Sequence, residues 1–175
     1  MTLIRRAVPE EATALRDLAH RSKAYWPYDA AFLRAVAPML ILEPRHVASH
    51  EVHVLDVDDT VVGWHRVTFH GERAELEDLW LEPEWIGSGH GRTLFEHAAS
   101  VAQEGGATRL EWDAEPYAEG FYRAMGGVEI GRTPSAAEPG RTLPRMRLTL
   151  NPRPSGARAA ASAVPAADAG SVEAP

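Results

Sequence analysis

Cysteine is absent from the 175 residues, which excludes disulfides, thiolate nucleophiles and zinc–thiolate sites together. No apolar run approaches the ~20 residues of a membrane-spanning helix. The apolar part of Met1-Thr2-Leu3-Ile4-Arg5-Arg6 is too short for a secretory signal, so a cytoplasmic protein is expected. An excess of positive charge is missing too, the formal net charge being −7. Beyond residue 150, Arg153 and Arg158 balance Asp168 and Glu173, so the acidity belongs to the part before. This argues against nonspecific nucleic-acid binding; it serves solubility and mildly favours a cationic or amine substrate.

What remains suits one globular domain. The chain is 45% hydrophobic, and a domain of about 150 residues buries roughly 70% of its unfolded-chain surface without a covalent staple. One composition break is visible. From Asn151 the sequence turns to Ala, Ser, Pro and Gly without aromatics or a hydrophobic period. Such a segment cannot bury enough surface to offset its ordering entropy. The expected organisation is a domain over 2–150 and a disordered tail over 151–175, with no internal repeats.

Strand and helix signals alternate before the break. Leu3 to Val8 reads as a strand, and Pro9 with Glu10 and Glu11 opens a helix striped by Leu15, Leu18 and Ala19. Asp29 is a plausible N-cap for a second helix, which Pro38 ends. The segment 52–57 alternates as a strand, turns at Asp58-Asp59 and returns over 61–69. A strand follows over 73–81. Leu94, Ala98 and Val101, with Phe95 and Ala102 beside them, give a 3.6-residue period that Gly105-Gly106 stops. Strand 109–112, a short helix 116–125 and strands 128–130 and 146–150 complete the order β-α-α-β-β-β-α-β-α-β-β.

Between strand 73–81 and the periodic helix lies Gly87-Ser88-Gly89-His90-Gly91-Arg92. Glycines at every second position leave backbone N–H groups uncovered at a helix start, where the dipole favours an anion. Phosphate or pyrophosphate is the expected guest. A dinucleotide fingerprint would need glycine where Arg92 stands, and the Gly-Lys-Ser/Thr of a Walker loop is missing.

The segment resembles the pyrophosphate loop of the GNAT superfamily of N-acetyltransferases. Leu79-Trp80-Leu81-Glu82-Pro83 supplies the family's strand end, and Ile86 to Gly91 aligns with its Gln/Arg-x-x-Gly-x-Gly/Ala run, Ile86 standing where Arg or Gln is usual. About thirty residues on, Ala118, Phe121, Tyr122 and Gly126 match Ala-x-x-Phe-Tyr-x-x-x-Gly, with Gly127 in place of the closing aromatic. The resemblance covers about residues 2–150. It implies an α/β (α+β) fold with a central mixed, mostly antiparallel sheet flanked by helices.

It further implies acetyl-CoA as co-substrate and a direct acetyl transfer to a primary amine of a small molecule or peptide. The backbone of Leu79, Trp80 and Leu81 would pair with pantetheine, and the loop from Gly87, Ser88 and Gly89 through His90, Gly91 and Arg92 would hold the pyrophosphate. Tyr122 would protonate the leaving thiolate. For the base, Glu77 lies two residues before Leu79, so a period of two puts both on one face. Asp78, His65, Glu111 and Asp113 compete for that role. Trp26, Tyr28 and Asp113 are candidate acceptor contacts; Tyr25, Trp26, Tyr28 and Phe32 could equally be core.

His46, His50 and His53 carry no further ligand motif, so no metal is expected. No membrane or nucleic-acid partner is expected either, and a homodimer is left open. A noncatalytic CoA-binding regulatory module with the same fold is the alternative.

Overall fold

Asp58 and Asp59 both adopt positive φ, 48° and 63°. That conformation of a two-residue turn matches the twist of paired strands. It joins strands β2 (Glu51–Val57) and β3 (Thr60–His70) into a hairpin, as the sequence predicts. The computed structural model describes residues 1–151, so the expected tail lies outside the described residues apart from Asn151. Its other strands are β1 (Thr2–Arg6), β4 (Arg73–Leu81), β5 (Arg109–Asp113), β6 (Val128–Pro134) and β7 (Thr142–Thr149). The helices are α1 (Ala12–Ala24), α2 (Ala30–Val36), α3 (Pro44–Ser49), α4 (His90–Glu104) and α5 (Glu119–Ala124).

The seven strands run in the order β1-β2-β3-β4-β5-β7-β6. Only β4 and β5 pair in parallel. The mixed, mostly antiparallel sheet and its flanking helices agree with the expected fold. One element is additional to the expected order: α3, opened by Pro44 at its first position, precedes β2. β6 and β7 also run longer than expected, because each finishes its ladder on the other, to Pro134 and Thr142.

Apolar clusters hold the layers, among them a small one of Leu55, Val62, Leu81 and Leu94. On one side Leu15, Leu18 and Val47 pack against Val52, Val54 and Trp64, and the Trp64 indole N–H donates to the Leu15 carbonyl at 2.8 Å. On the other, Phe95, Ala98 and Ala102 of α4 meet Leu110, Trp112 and Tyr122. Each fully buried leucine contributes about 1.5–3 kcal/mol. Asp29 caps α2, its carboxylate accepting from Phe32 N–H at 2.8 Å.

Candidate active site

β4 and β5 pair only from Arg73 to Glu75. Beyond that point they separate, and the cause lies in β4. Arg66 of β3 faces Asp78 while Val67 faces Leu76, so Glu77 is an extra, bulged residue. A bulge bends its strand and increases the local twist. Past it, Glu82 N–H donates to the Val62 carbonyl at 2.8 Å. Antiparallel alternation then turns the peptide groups of Leu81 and Leu79 away from β3 and into the gap. An open sheet edge results, buried inside the fold.

The glycine loop closes one end of this gap. Gly87 and Gly89 take φ of +85° and +93°, a region that side chains disfavour, and Gly89 is the N-cap of α4. Ser88 braces the turn through its hydroxyl, which bonds the Trp85 carbonyl and lies 2.6 Å from His90 Nδ1. Arg92 and Thr93 N–H donate to the Gly89 carbonyl. The N–H groups of Gly87, Gly89, His90 and Gly91 find no acceptor among the described residues. Four free donors at the positive end of a fifteen-residue helix form an anion cradle. Arg92, exposed and 3.6 Å from Glu96, lies beside it.

Gap and loop together form a cleft of about 420 Å³, with Leu79, Trp80 and Leu81 as floor and Phe121 and Tyr122 as wall. Tyr122 is buried, its ring against Phe95 and Trp112 at 5.7 and 5.1 Å. No group among the described residues exchanges a hydrogen bond with its hydroxyl, although Tyr122 lines the cleft. Burial, and after it the charges of Glu115 and Asp78, push the phenol well above its usual range, so it stays protonated at neutral pH. Gly127 explains its own departure from the expected aromatic. A Cβ there would stand 2.9 Å from both the Trp112 ring and the Tyr122 carbonyl, because the Trp112 indole already fills that space.

A second cavity of about 320 Å³ adjoins the cleft, and Trp80 and Glu115 line both. Phe32, Val36, Met39 and Leu143 give the second cavity an apolar wall, while Lys23, Arg141 and Asp113 add charge. The Glu115 carboxylate pairs with Lys23 and accepts from the Tyr28 hydroxyl. Arg141 in turn bonds Tyr28 Oη and stacks over Phe32, 4.4 Å from the ring centroid.

The expected site residues distribute as follows. The strand end, the glycine loop, Tyr122 and Trp26 surround the cleft, Trp26 stacked on Tyr117 at 5.5 Å. Asp113 borders the second cavity, held by Thr133 at 2.7 Å. Tyr28 braces Glu115 from behind and lines neither cavity.

The placement of Glu77 on the face of Leu79 is corrected, because the bulge breaks the period of two. Its carboxylate accepts from Thr68 at 2.8 Å and borders a separate hollow with His50 and His70. Glu111 is bound by Arg145 and Arg147, and His65 by His97. Glu115, Lys23 and Arg141 were missed. They are 26 and 92 residues apart from one another in sequence, and no local motif announces that they meet.

No helix among the described residues is long and apolar enough to cross a membrane. The family described as acetyltransferase (GNAT) family matches residues 13–126. A comparison with curated proteins finds no match. Among solved structures, the chain is similar to the PaiA N-acetyltransferase of Thermoplasma acidophilum in complex with coenzyme A. The TM-score is 0.65 and the identity 17%, covering 85% of this chain and 99% of that one. It is similar to YncA of Salmonella typhimurium, described as an acetyltransferase with its cofactor acetyl-CoA, at TM-score 0.63 and 19% identity, covering 95% and 99%. The ribosomal-protein-S18-alanine N-acetyltransferase of Escherichia coli gives 0.65 and 17%, covering 86% and 94%. At these identities the likeness shows a shared fold.

Proposed function

Because the chain belongs to the GNAT family of acetyltransferases, we propose that it moves an acetyl group from acetyl-CoA directly to a primary amine within a ternary complex. The carrying observation is that a cleft with an anion cradle and a free phenol adjoins a second cavity, with Trp80 and Glu115 lining both. Two similar structures hold CoA or acetyl-CoA, and this cleft offers the matching parts. The four free N–H groups take the pyrophosphate, with Arg92 beside it. Pantetheine lies in the gap as an added strand on Leu79 and Leu81, where a peptide N–H polarises the thioester carbonyl.

The acceptor is a small-molecule or peptide amine with an apolar body, approaching from the second cavity. Its nitrogen bonds to the acetyl carbon as the carbon–sulfur bond breaks. Tyr122 gives its proton to the departing sulfur, and Glu115 takes one from nitrogen, directly or through water; solvent then returns the proton to the phenolate. The base role goes to Glu115 rather than Glu77, because Glu115 lines both cavities whereas Glu77 borders a separate hollow. A cytoplasmic location belongs to the same proposal. Thiol release from acetyl-CoA, followed across amines with apolar, aromatic and purely polar bodies, tests the reading. Amine-dependent turnover favouring apolar bodies supports it; CoA binding without turnover would point to a noncatalytic module.

A further inference from the structure

Three histidines from three elements converge on the α4 side of the sheet, outside both cavities. His53 of β2 and His65 of β3 are cross-strand partners, and His97 reaches them from the middle of α4. Their ring centroids lie 4.8 to 5.2 Å apart. One ring nitrogen from each residue lies within 4.8 Å of those of the other two. We propose that His53, His65 and His97 form a binding site for one borderline divalent transition-metal ion, Zn²⁺ being the reference case, with water in the fourth position.

The donor set decides the class of ion. Imidazole nitrogens suit Zn²⁺, Co²⁺, Ni²⁺ and Cu²⁺, whereas Mg²⁺ and Ca²⁺ require oxygen. The imidazoles must be neutral to bind. Burial lowers all three, His53 to about 4 and His65 well below its ordinary value, so protons do not compete at neutral pH.

The geometry is close to what an ion needs. His65 Nε2 and His97 Nδ1 share a proton across 2.8 Å. Two nitrogens on a tetrahedral ion, each at 2.0–2.1 Å from it, stand ~3.3 Å apart. Opening that pair by about half an ångström, losing the shared proton and drawing in the third nitrogen, which lies within 4.8 Å of the other two, would admit the metal. A merely structural histidine pair does not account for the rest. Nδ1 of His53 and Nδ1 of His65 are both buried without a hydrogen-bond partner, and His65 is 0% exposed. Unpartnered polar atoms at that depth cost free energy; an ion can take the one on His53, whereas His65 meets His97 through Nε2 and would keep its proton on Nδ1. The bound metal would clamp α4, whose N-terminus carries the anion cradle, to the β2–β3 hairpin.

The test uses untagged, chelator-treated full-length protein, so that no added histidines contribute. Co²⁺ titration should give one site per chain with the intense visible bands of a tetrahedral ion, and Zn²⁺ should displace it. Zn²⁺ at about 100 times its Kd should raise the melting temperature by about 5 °C or more. His97→Gln, and separately His53→Gln, should weaken binding beyond the ~10–100-fold typical of losing an outer-shell partner, with circular dichroism confirming that each folds. His46→Gln should bind as the unaltered chain does. No binding at millimolar metal, six-coordinate Co²⁺ spectra, or binding lost in His46→Gln but kept in His97→Gln would overturn the proposal. Every one of these readings is independent of acetyl transfer.

Discussion

The indole N–H of Trp80 donates to Asp78 Oδ1 at 2.7 Å, two residues back along the same strand. This bond sets the Trp80 ring as the partition between the two cavities. Asp78 is itself anchored, its Oδ2 lying 2.7 Å from Arg66 Nε. Burial pushes the Asp78 carboxyl above its usual range, against the pull of Arg66. The wall of the site therefore rests on a buried charge pair one strand deeper.

Trp80→Phe removes the donor and leaves Asp78 Oδ1 buried without it. A loss of about 1–3 kcal/mol is expected in denaturant unfolding, with the KM for the acceptor rising more than kcat falls. Unchanged stability would mean that the bond does not form in solution.

The glycines of the cradle should separate by backbone conformation. Gly89→Ala forces a side chain into φ of +93°, although a Cβ there meets nothing within 4 Å. About 1–2 kcal/mol of stability and at least ~10-fold in CoA affinity should be lost. Gly91→Ala lies inside α4 with neighbours no closer than 3.5 Å, so its stability should hold or rise by up to about 1 kcal/mol. Calorimetry with CoA and thermal melts check the contrast.

Gly127→Ala drives a methyl group into the Trp112 ring and the Tyr122 carbonyl. Overpacking of this kind costs about 1–3 kcal/mol, and here it pushes on the helix turn that carries Tyr122. Melting temperature and kcat should fall together, whereas Gly120→Ala, inside α5 with open space around it, should hold the melt or raise it slightly.

Glu111 predicts an acid limit. Burial alone would raise its carboxyl, but hydrogen bonds from Arg147 at 2.8 Å and Arg145 at 3.1 Å prevail and hold it below the ordinary 4.5. As pH falls below 4.5 the unfolded chain takes the proton first, so this contribution is full above that value and is lost through the depressed native one. Glu111→Gln takes the carboxylate from Arg147, while Arg145 keeps Glu75, so a cost of about 1–3 kcal/mol is expected at pH 7. The loss should shrink toward acid in urea unfolding measured from pH 7 to 3.

The fold was legible because its signals are local. The stripe of Leu94, Ala98 and Val101 with Phe95 and Ala102 beside it, the Asp58-Asp59 turn and the Asp29 cap are each short-range signals, and they recur as a buried face from which only Val101 is left half-buried, as positive φ and as a capping bond. The anion cradle was legible for the same reason. The placement of Glu77 was not, because a single bulged residue there shifts the phase of β4, and no alternation pattern marks where a bulge will form. Glu115 escaped because its partners come from distant elements, and His53 was weighed as a ligand only beside His46 and His50. His65 was weighed only as a base, and His97 is inconspicuous until α4 lies on the sheet.

The central claim is that Tyr122 hands its proton to the departing thiolate, and Tyr122→Phe tests it most directly. The change removes one hydroxyl, which has no bonding partner among the described residues, and almost no volume, so the melt and CoA affinity should hold. With saturating acetyl-CoA, an acceptor found by the amine screen and chemistry shown to be rate-limiting, kcat should fall by ~10²-fold or more. Turnover equal to that of the unaltered chain would contradict the account.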